Sequence, residues 1–191
     1  MMSRQIFYFD QPRRFVVGTV GQPGERTFFL QASDGVRVVS VALEKAQVTV
    51  LAERIEQLLA DMAARTGAEQ PAAVTADIDP LESPIDEEFR VAAMGLAYDS
   101  EADLIVIEAQ APAESAEEAE ATLLEDTEDG PDALRVRLAH QAAAEFVERA
   151  RRVVEAGRPP CPLCNQPLDP GGHVCPRSNG YRRQARLGSS G

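Results

Sequence analysis

A series of short strand-like segments followed by one long amphipathic helix occurs twice in this chain, and this recurrence limits the possible folds more than any other feature. In the first half, β-branched and aromatic residues fill four segments between Gln-Pro-Gly and Ser-Asp-Gly turns, at residues 6–9, 14–20, 27–30 and 36–41. Such runs between turn residues are typical of strands. Residues 44–65 then place apolar side chains every three or four positions, which predicts a helix with one buried face. The first half is therefore predicted to be an antiparallel meander covered by a helix.

The second half contains the same order of segments. Residues 88–95 resemble residues 14–21 at an offset of 74 positions, and residues 134–149 resemble residues 39–54 at an offset of 95. The difference of 21 positions coincides with residues 112–131, which are rich in Ala, Glu and Asp and poor in bulky apolar residues. This composition predicts a solvated, disordered insertion with at most a transient helix. A duplication explains the offsets; the alternative is that two unrelated strand–helix units share a common pattern.

The predicted fold class is α+β, with two β-β-β-α repeats that form one mainly antiparallel sheet, both helices on one face of it, and a C-terminal zinc ribbon-like tail. Two such units could join edge to edge and bury apolar surface that neither half buries alone. The predicted boundaries are a first repeat at 1–66, a linker at 67–85, a second repeat at 86–157, a zinc-binding tail at 158–183 and a disordered end at 184–191.

Charge is divided unevenly along the chain. The net charge is −12 overall, but residues 1–65 carry +1, residues 66–130 carry −18 and residues 131–191 carry +5. No apolar run approaches the roughly 18 residues that span a bilayer, and the first residues lack the apolar stretch of a secretory signal. We therefore expect a cytoplasmic protein without a membrane contact, whose basic end can attract an anionic partner or its own acidic segment.

A candidate metal site lies in the tail, where all three cysteines and one of the two histidines fall within fifteen residues: Cys161, Cys164, His173 and Cys175. Two thiolates on a tight turn, followed by a His-x-Cys pair whose alternate side chains face one side, supply four soft ligands, which favours zinc. The segment is short and rich in proline, and structural zinc contributes on the order of 10–16 kcal/mol in small peptide sites. Because four ligands leave no open position, a structural zinc is predicted rather than a catalytic one.

Other kinds of chemistry find less support in the sequence. A redox Cys-x-x-Cys pair would need a helix after the second cysteine, but residues 165–172 contain two prolines and two glycines. There is no Gly-rich phosphate loop, no His-Glu-x-x-His motif and no nucleophile motif beside either histidine. His140 is expected at a solvent-facing helix start, and Asp77 and Asp79 are expected to be solvated carboxylates. We therefore assign no catalytic residue.

A basic segment follows the metal site, with Arg177, Tyr181, Arg182 and Arg183 as candidate anion-binding or partner-binding residues. Arginines beside a tyrosine can bind phosphate or stack on an unpaired base. The alternative is a frayed basic terminus without a specific ligand.

Three features together resemble a known family: residues 7–10, the two-fold repeat, and residues 157–164 with the following His173-Val174-Cys175. The family is an actinobacterial, repeat-containing family of unknown function, domain of unknown function 3090. The resemblance implies a genomic trio with a histidine-phosphatase-like protein and a phosphatidylinositol-kinase-like protein. A kinase-like or phosphatase-like partner is therefore an expectation from the resemblance, and the resemblance implies no activity.

The leading hypothesis is a cytoplasmic zinc-binding adaptor whose tail forms part of a protein-binding surface. An enzyme with a pocket between the two repeats, using the ribbon as one wall, is the second hypothesis. Nucleic-acid binding through the basic tail is the third.

Overall fold

The computed structural model describes residues 3–22, 24–73, 77–157 and 161–164, together with Leu168 and Cys175. Within these residues the chain has the mixed α+β class that the sequence predicts. Its elements in chain order are β1 (Ile6–Asp10), β2 (Arg14–Val20), β3 (Thr27–Ser33), β4 (Val38–Leu43), α1 (Lys45–Thr66), β5 (Glu87–Arg90), β6 (Ala93–Asp99), β7 (Leu104–Gln110), α2 (Ala116–Thr122), β8 (Ala133–Leu138) and α3 (His140–Glu155).

The strands form two four-stranded sheets, and each sheet takes its last strand from the other half of the chain. In sheet 1, β2, β3 and β4 are antiparallel neighbours, and β5 lies parallel to β4. In sheet 2, β6, β7 and β8 are antiparallel neighbours, and β1 lies parallel to β8. The two halves are therefore joined by two exchanged edge strands.

The prediction of one continuous sheet is wrong. β5 pairs with β4 and β1 pairs with β8, so a single strand from the other half occupies the edge at which each unit was expected to join its neighbour. The alignment of residues 88–95 with residues 14–21 is wrong for a related reason. That segment holds two strands, β5 and the start of β6, so Phe89 lies on an exchanged edge whereas Phe15 lies in β2.

One apolar core joins both sheets to α1 and α3. Val17 and Val41 of sheet 1, Ile105 of sheet 2, Ile55 of α1 and Ala150 of α3 are all fully buried members of it. The two helices pack against each other, and α3 also lies along β2, where the ring of Phe146 stacks on the ring of its sheet neighbour at 4.8 Å between centroids. The helix of the second half thus covers the sheet of the first half.

The linker covers the outer face of sheet 1. Leu81 packs there with Val16, Phe29 and Ala42, and it occupies the space that a side chain at Gly18 would need. The backbone of the following residue, Glu82, exchanges hydrogen bonds of 2.8 and 3.0 Å with the buried amide of Gln31.

Asp77, in the same linker, is held by two arginines. It accepts hydrogen bonds of 2.6 Å from Arg14 Nε and from Arg149 Nη1, and Arg149 also donates to the carbonyl oxygens of Val17 and Asp79. The expectation of a solvated carboxylate at Asp77 is therefore wrong, because the two guanidinium groups come from β2 and α3, far away in the sequence. The bond from Arg14 lowers the pKa of the Asp77 carboxyl below its usual range, although partial burial opposes this effect.

The acidic insertion packs on sheet 2, where Leu123 and Leu124 occupy the space that a side chain at Gly95 would need, and it contains α2 in place of the disordered loop expected from its composition. The helix begins after Ser115, whose hydroxyl accepts a hydrogen bond of 3.1 Å from the Glu118 amide. Arg4, before β1, donates to the carbonyl oxygens of Glu125 and Pro131. Composition misleads here because a buried arginine that lies more than 100 positions away along the chain binds the backbone of the insertion.

Candidate metal centre

Three cysteines meet just beyond the end of α3. This helix ends at Glu155, the amide of Ala156 closes its last turn on the Arg152 carbonyl, and Cys161 follows five positions later. A tight turn at residues 162–164 then brings Cys164 back toward Cys161. Cys175, more than ten positions later in the chain, completes the cluster, and the sulfur atoms of all three cysteines lie within 4.8 Å of one another.

The spacing of the sulfur atoms fits a shared metal ion. Cys161 Sγ and Cys175 Sγ are 3.8 Å apart, which is far longer than a disulfide bond of about 2.05 Å. In a tetrahedral site with Zn–S bonds of about 2.3 Å, two thiolate sulfurs lie about 3.8 Å apart. Cys161 and Cys175 are buried and Cys164 is half-buried, so the cluster is shielded as a structural site requires.

The backbone around Cys161 favours the thiolate form that a metal needs. Hydrogen bonding from the backbone of Leu163 is the main cause that lowers the pKa of the Cys161 thiol. The backbone of Cys164 acts in the same direction, whereas burial opposes both. The turn that shapes the cluster therefore also prepares one of its sulfur atoms for coordination.

The structure brings together three of the predicted site residues. His173, the predicted fourth ligand, lies outside the described residues, and so do Arg177, Tyr181, Arg182 and Arg183. Their assignments remain predictions. Leu163, between the first two cysteines, is 52% exposed and places an apolar side chain on the surface of the turn.

The second histidine lies in surroundings that differ from those expected. His140 begins α3 as predicted, but it does not simply face solvent: its side chain is 29% exposed and its Nε2 atom lies 3.1 Å from Asp103 Oδ1. Tyr98 donates a hydrogen bond of 2.7 Å to the same oxygen. Sequence reasoning missed this group because Tyr98 and Asp103 flank a hairpin that carries no motif.

Among the helices of the described part of the chain, none is both long and apolar enough to cross a bilayer. A family model described as "Protein of unknown function (DUF3090)" matches residues 7–175. No curated protein and no solved structure matches the chain.

Proposed function

The chain belongs to the family of proteins of unknown function DUF3090, and we propose that it is a zinc-binding adaptor whose metal centre orders a partner-binding tail. The observation that carries the proposal is the convergence of Cys161, Cys164 and Cys175 within 4.8 Å. Three thiolates favour zinc or another soft metal over magnesium or calcium, which prefer oxygen ligands.

The spacing of the sequence makes His173 the fourth ligand of this site. A closed Cys₃His site has no open position for substrate, so its role is structural. The metal when bound supplies a cross-link between the three cysteines and His173. The compartment that we propose is the cytoplasm, where thiols stay reduced and available for coordination.

Partner binding is proposed for the surface that this centre orders. Leu163 offers an exposed apolar side chain, and Arg177, Tyr181, Arg182 and Arg183 add basic and aromatic groups nearby in the sequence. Arginine and tyrosine are enriched among the residues that dominate binding energy at protein interfaces, and the buried core of an interface is more apolar than its rim. A kinase-like or phosphatase-like protein is the proposed partner, on the family resemblance.

Duplication remains our proposal for the origin of the fold. Its support is that each sheet consists of three antiparallel strands and one parallel strand from the other half. The offset of 95 positions also relates Lys45, the first residue of α1, to His140, the first residue of α3.

Two measurements test the metal site: the zinc content of the purified protein, and the change in that content when a ligand is replaced. Protein purified without added metal is expected to hold about one zinc per chain by elemental analysis, and Cys164→Ser and His173→Asn are expected to lose most of it. His140→Asn is the matched control, because it changes the only other histidine. Zinc far below one per chain, or content unchanged by Cys164→Ser, would show that the site is not a zinc centre.

Affinity purification from the native host tests the adaptor role. A partner that binds the full chain should be lost from a variant lacking residues 158–191 and from Leu163→Asp. Val36→Asp is the matched control, because Val36 is 98% exposed and lies in the β3–β4 turn. A partner set unaffected by removal of the tail contradicts the adaptor. Salt-sensitive binding to single-stranded nucleic acid that disappears in the triple alanine variant of Arg177, Arg182 and Arg183 would favour the nucleic-acid hypothesis instead.

A further inference from the structure

A cavity of about 400 Å³ lies between the two halves of the chain, away from the cysteine cluster. Its walls are the C-terminal turns of α1, the loop that follows α1, the β6–β7 hairpin and the first residue of α3. Apolar side chains form most of the interior, among them Leu58, Leu59, Met62 and Pro71. The volume falls in the range of about 300–1,000 Å³ that is typical of sites for small molecules.

The equivalent position in the other half of the fold, between the end of α3, the β2–β3 hairpin and the first residue of α1, also holds a cavity, of about 570 Å³. The two cavities differ in charge, because Arg26 and Lys45 line the second where Asp103 and His140 line the first. The fold therefore leaves an opening at both places, and the side chains that line each opening decide which ligand it suits.

Three polar side chains meet at one end of the cavity. Tyr98 donates its hydroxyl to Asp103 Oδ1, and His140 Nε2 lies 3.1 Å from the same oxygen without the alignment of a hydrogen bond. The rings of Tyr98 and His140 are 6.2 Å apart and tilted by 57°. The hydrogen bond to Asp103 raises the pKa of Tyr98, so the phenol stays a donor and orients the carboxylate. An aromatic face, a carboxylate and an imidazole therefore converge on one point.

The charge around the cavity mouth is negative. Asp61, Glu69 and Asp103 line the cavity, with Arg65 as the only arginine among the described lining residues. The last turn of α1, where Thr66 donates its hydroxyl to the Met62 carbonyl, adds the negative end of a helix dipole. Three carboxylates outweigh one guanidinium and one imidazole even when the imidazole is protonated.

From this cavity and its charges we propose a second ligand site, for a small organic amine that places an aromatic or aliphatic body among Leu58, Leu59 and Met62. The ammonium group lies against the Asp103 carboxylate and the face of Tyr98. A cation beside a carboxylate and over an aromatic ring gains charge-assisted hydrogen bonding and a cation–π contact. The site uses no cysteine, so the outcome of its test does not depend on the metal centre.

Titration of the full chain with three probes of similar shape, followed by amide NMR, tests the site. The probes are 2-phenylethylamine, 2-phenylethanol and 3-phenylpropanoate. The amine is expected to shift amide signals around the cavity and to bind about fivefold to tenfold more tightly than the alcohol, the difference expected for one charge-assisted contact. The carboxylate is expected to bind most weakly. Equal affinities for amine and alcohol, or no shifts around the cavity with any probe, would overturn the proposal.

Two pairs of variants connect binding to the named residues. Ala63→Phe fills the cavity and should abolish amine binding, whereas Ala64→Phe changes the neighbouring exposed residue of the same helix and should not. Asp103→Asn should remove the preference for the amine. Asparagine suits this position because Asp103 has a left-handed backbone with φ of 57°, which asparagine tolerates. Asp86→Asn is its exposed control. Unchanged amine affinity in Ala63→Phe, with the NMR spectrum showing an intact fold, would place the binding elsewhere.

Discussion

Glu108 is a fully buried carboxylate that contacts two arginines, and removing its charge should lower the free energy of unfolding considerably. Arg4 Nη2 lies 2.9 Å from Glu108 Oε1, Arg135 Nε lies 2.5 Å from Oε2, and the Leu124 amide donates to Oε1 at 3.2 Å. The side chains of Arg4 and Glu108 are both fully shielded from solvent. The substitution Glu108→Gln keeps the shape but leaves two guanidinium groups without their shared counter-charge.

The expected cost follows from what each arginine retains. Removing one partner of a buried ion pair costs about 3–5 kcal/mol. Arg4 keeps its bonds to the carbonyl oxygens of Glu125 and Pro131, and Arg135 keeps its surface pair with Asp126. We therefore expect a loss of about 2–4 kcal/mol in the free energy of unfolding, a large part of the roughly 5–15 kcal/mol that stabilises a domain.

Denaturation in urea measures this loss as a lower transition midpoint at an unchanged slope. Glu87→Gln is the matched control: Glu87 lies 4.0 Å from Arg90 with both side chains largely exposed, so its change should stay within about 0.5 kcal/mol. The apolar replacement of the whole group, with Arg4→Met, Glu108→Leu and Arg135→Met, should be more stable than Glu108→Gln. A cost below about 1 kcal/mol for Glu108→Gln, or a triple variant no better than it, would refute the reasoning.

Three further changes test other contacts. Gly18→Ala places a Cβ atom 2.6 Å from Leu81 Cγ and should lower the free energy of unfolding by about 1–3 kcal/mol in urea denaturation. The same substitution should cost less in a chain that also carries Leu81→Ala, and an equal cost in both chains would rule out this clash. Because Arg14 lowers the pKa of Asp77 in the folded protein, the stability that this carboxylate contributes is complete above the unfolded pKa of about 3.9 and is lost as the pH falls through the lower folded value. The difference in unfolding free energy between wild type and Asp77→Asn should thus narrow as the pH is lowered below about 4, and a constant difference contradicts the pairing. Phe146→Ala removes a ring that is 2% exposed and should cost about 3–5 kcal/mol, whereas Val50→Ala on the exposed face of α1 should cost less than about 1 kcal/mol; similar losses would contradict the burial.

Local structure could be predicted from the sequence because its signal is local. The segments predicted at residues 14–20 and 44–65 correspond to β2 and, within one residue at each end, to α1. In β2 the signal is a β-branched and aromatic run between turns, and in α1 it is an apolar face. The end of α1 agrees with Gly67, which takes a left-handed conformation with φ of 69° after the last turn.

Strand exchange could not be predicted in this way. An apolar alternation identifies a strand but does not identify its neighbour, and the pairs β1–β8 and β4–β5 join segments that are far apart in the sequence. The polar clusters could not be predicted from the sequence for the same reason. Glu108, Arg4 and Asp77 look like ordinary surface charges until the fold brings their partners to them.

The candidate site was predicted in part, for a different reason. The three cysteines are close in sequence, and a short segment with turn residues leaves few ways to separate them, so spacing alone predicted their cluster. Tyr98, Asp103 and His140 are brought together by a hairpin and a helix start, and nothing in their spacing indicates a common site.

The chemistry of the two candidate sites follows from the ways in which the halves differ. Each half presents a helix to the sheet of the other, but only α3 lies closely along its strand, and only α3 is followed by the cysteine tail. At the corresponding end of the other helix, α1 runs on to Thr66 and its last turns form a wall of the cavity beside His140. The end of α3 borders an equivalent cavity, but Arg26 and Lys45 line that one, whereas Asp103 and His140 line the cavity beside α1. The two halves thus differ in the charge of equivalent cavities and in the cysteine tail that follows α3 alone.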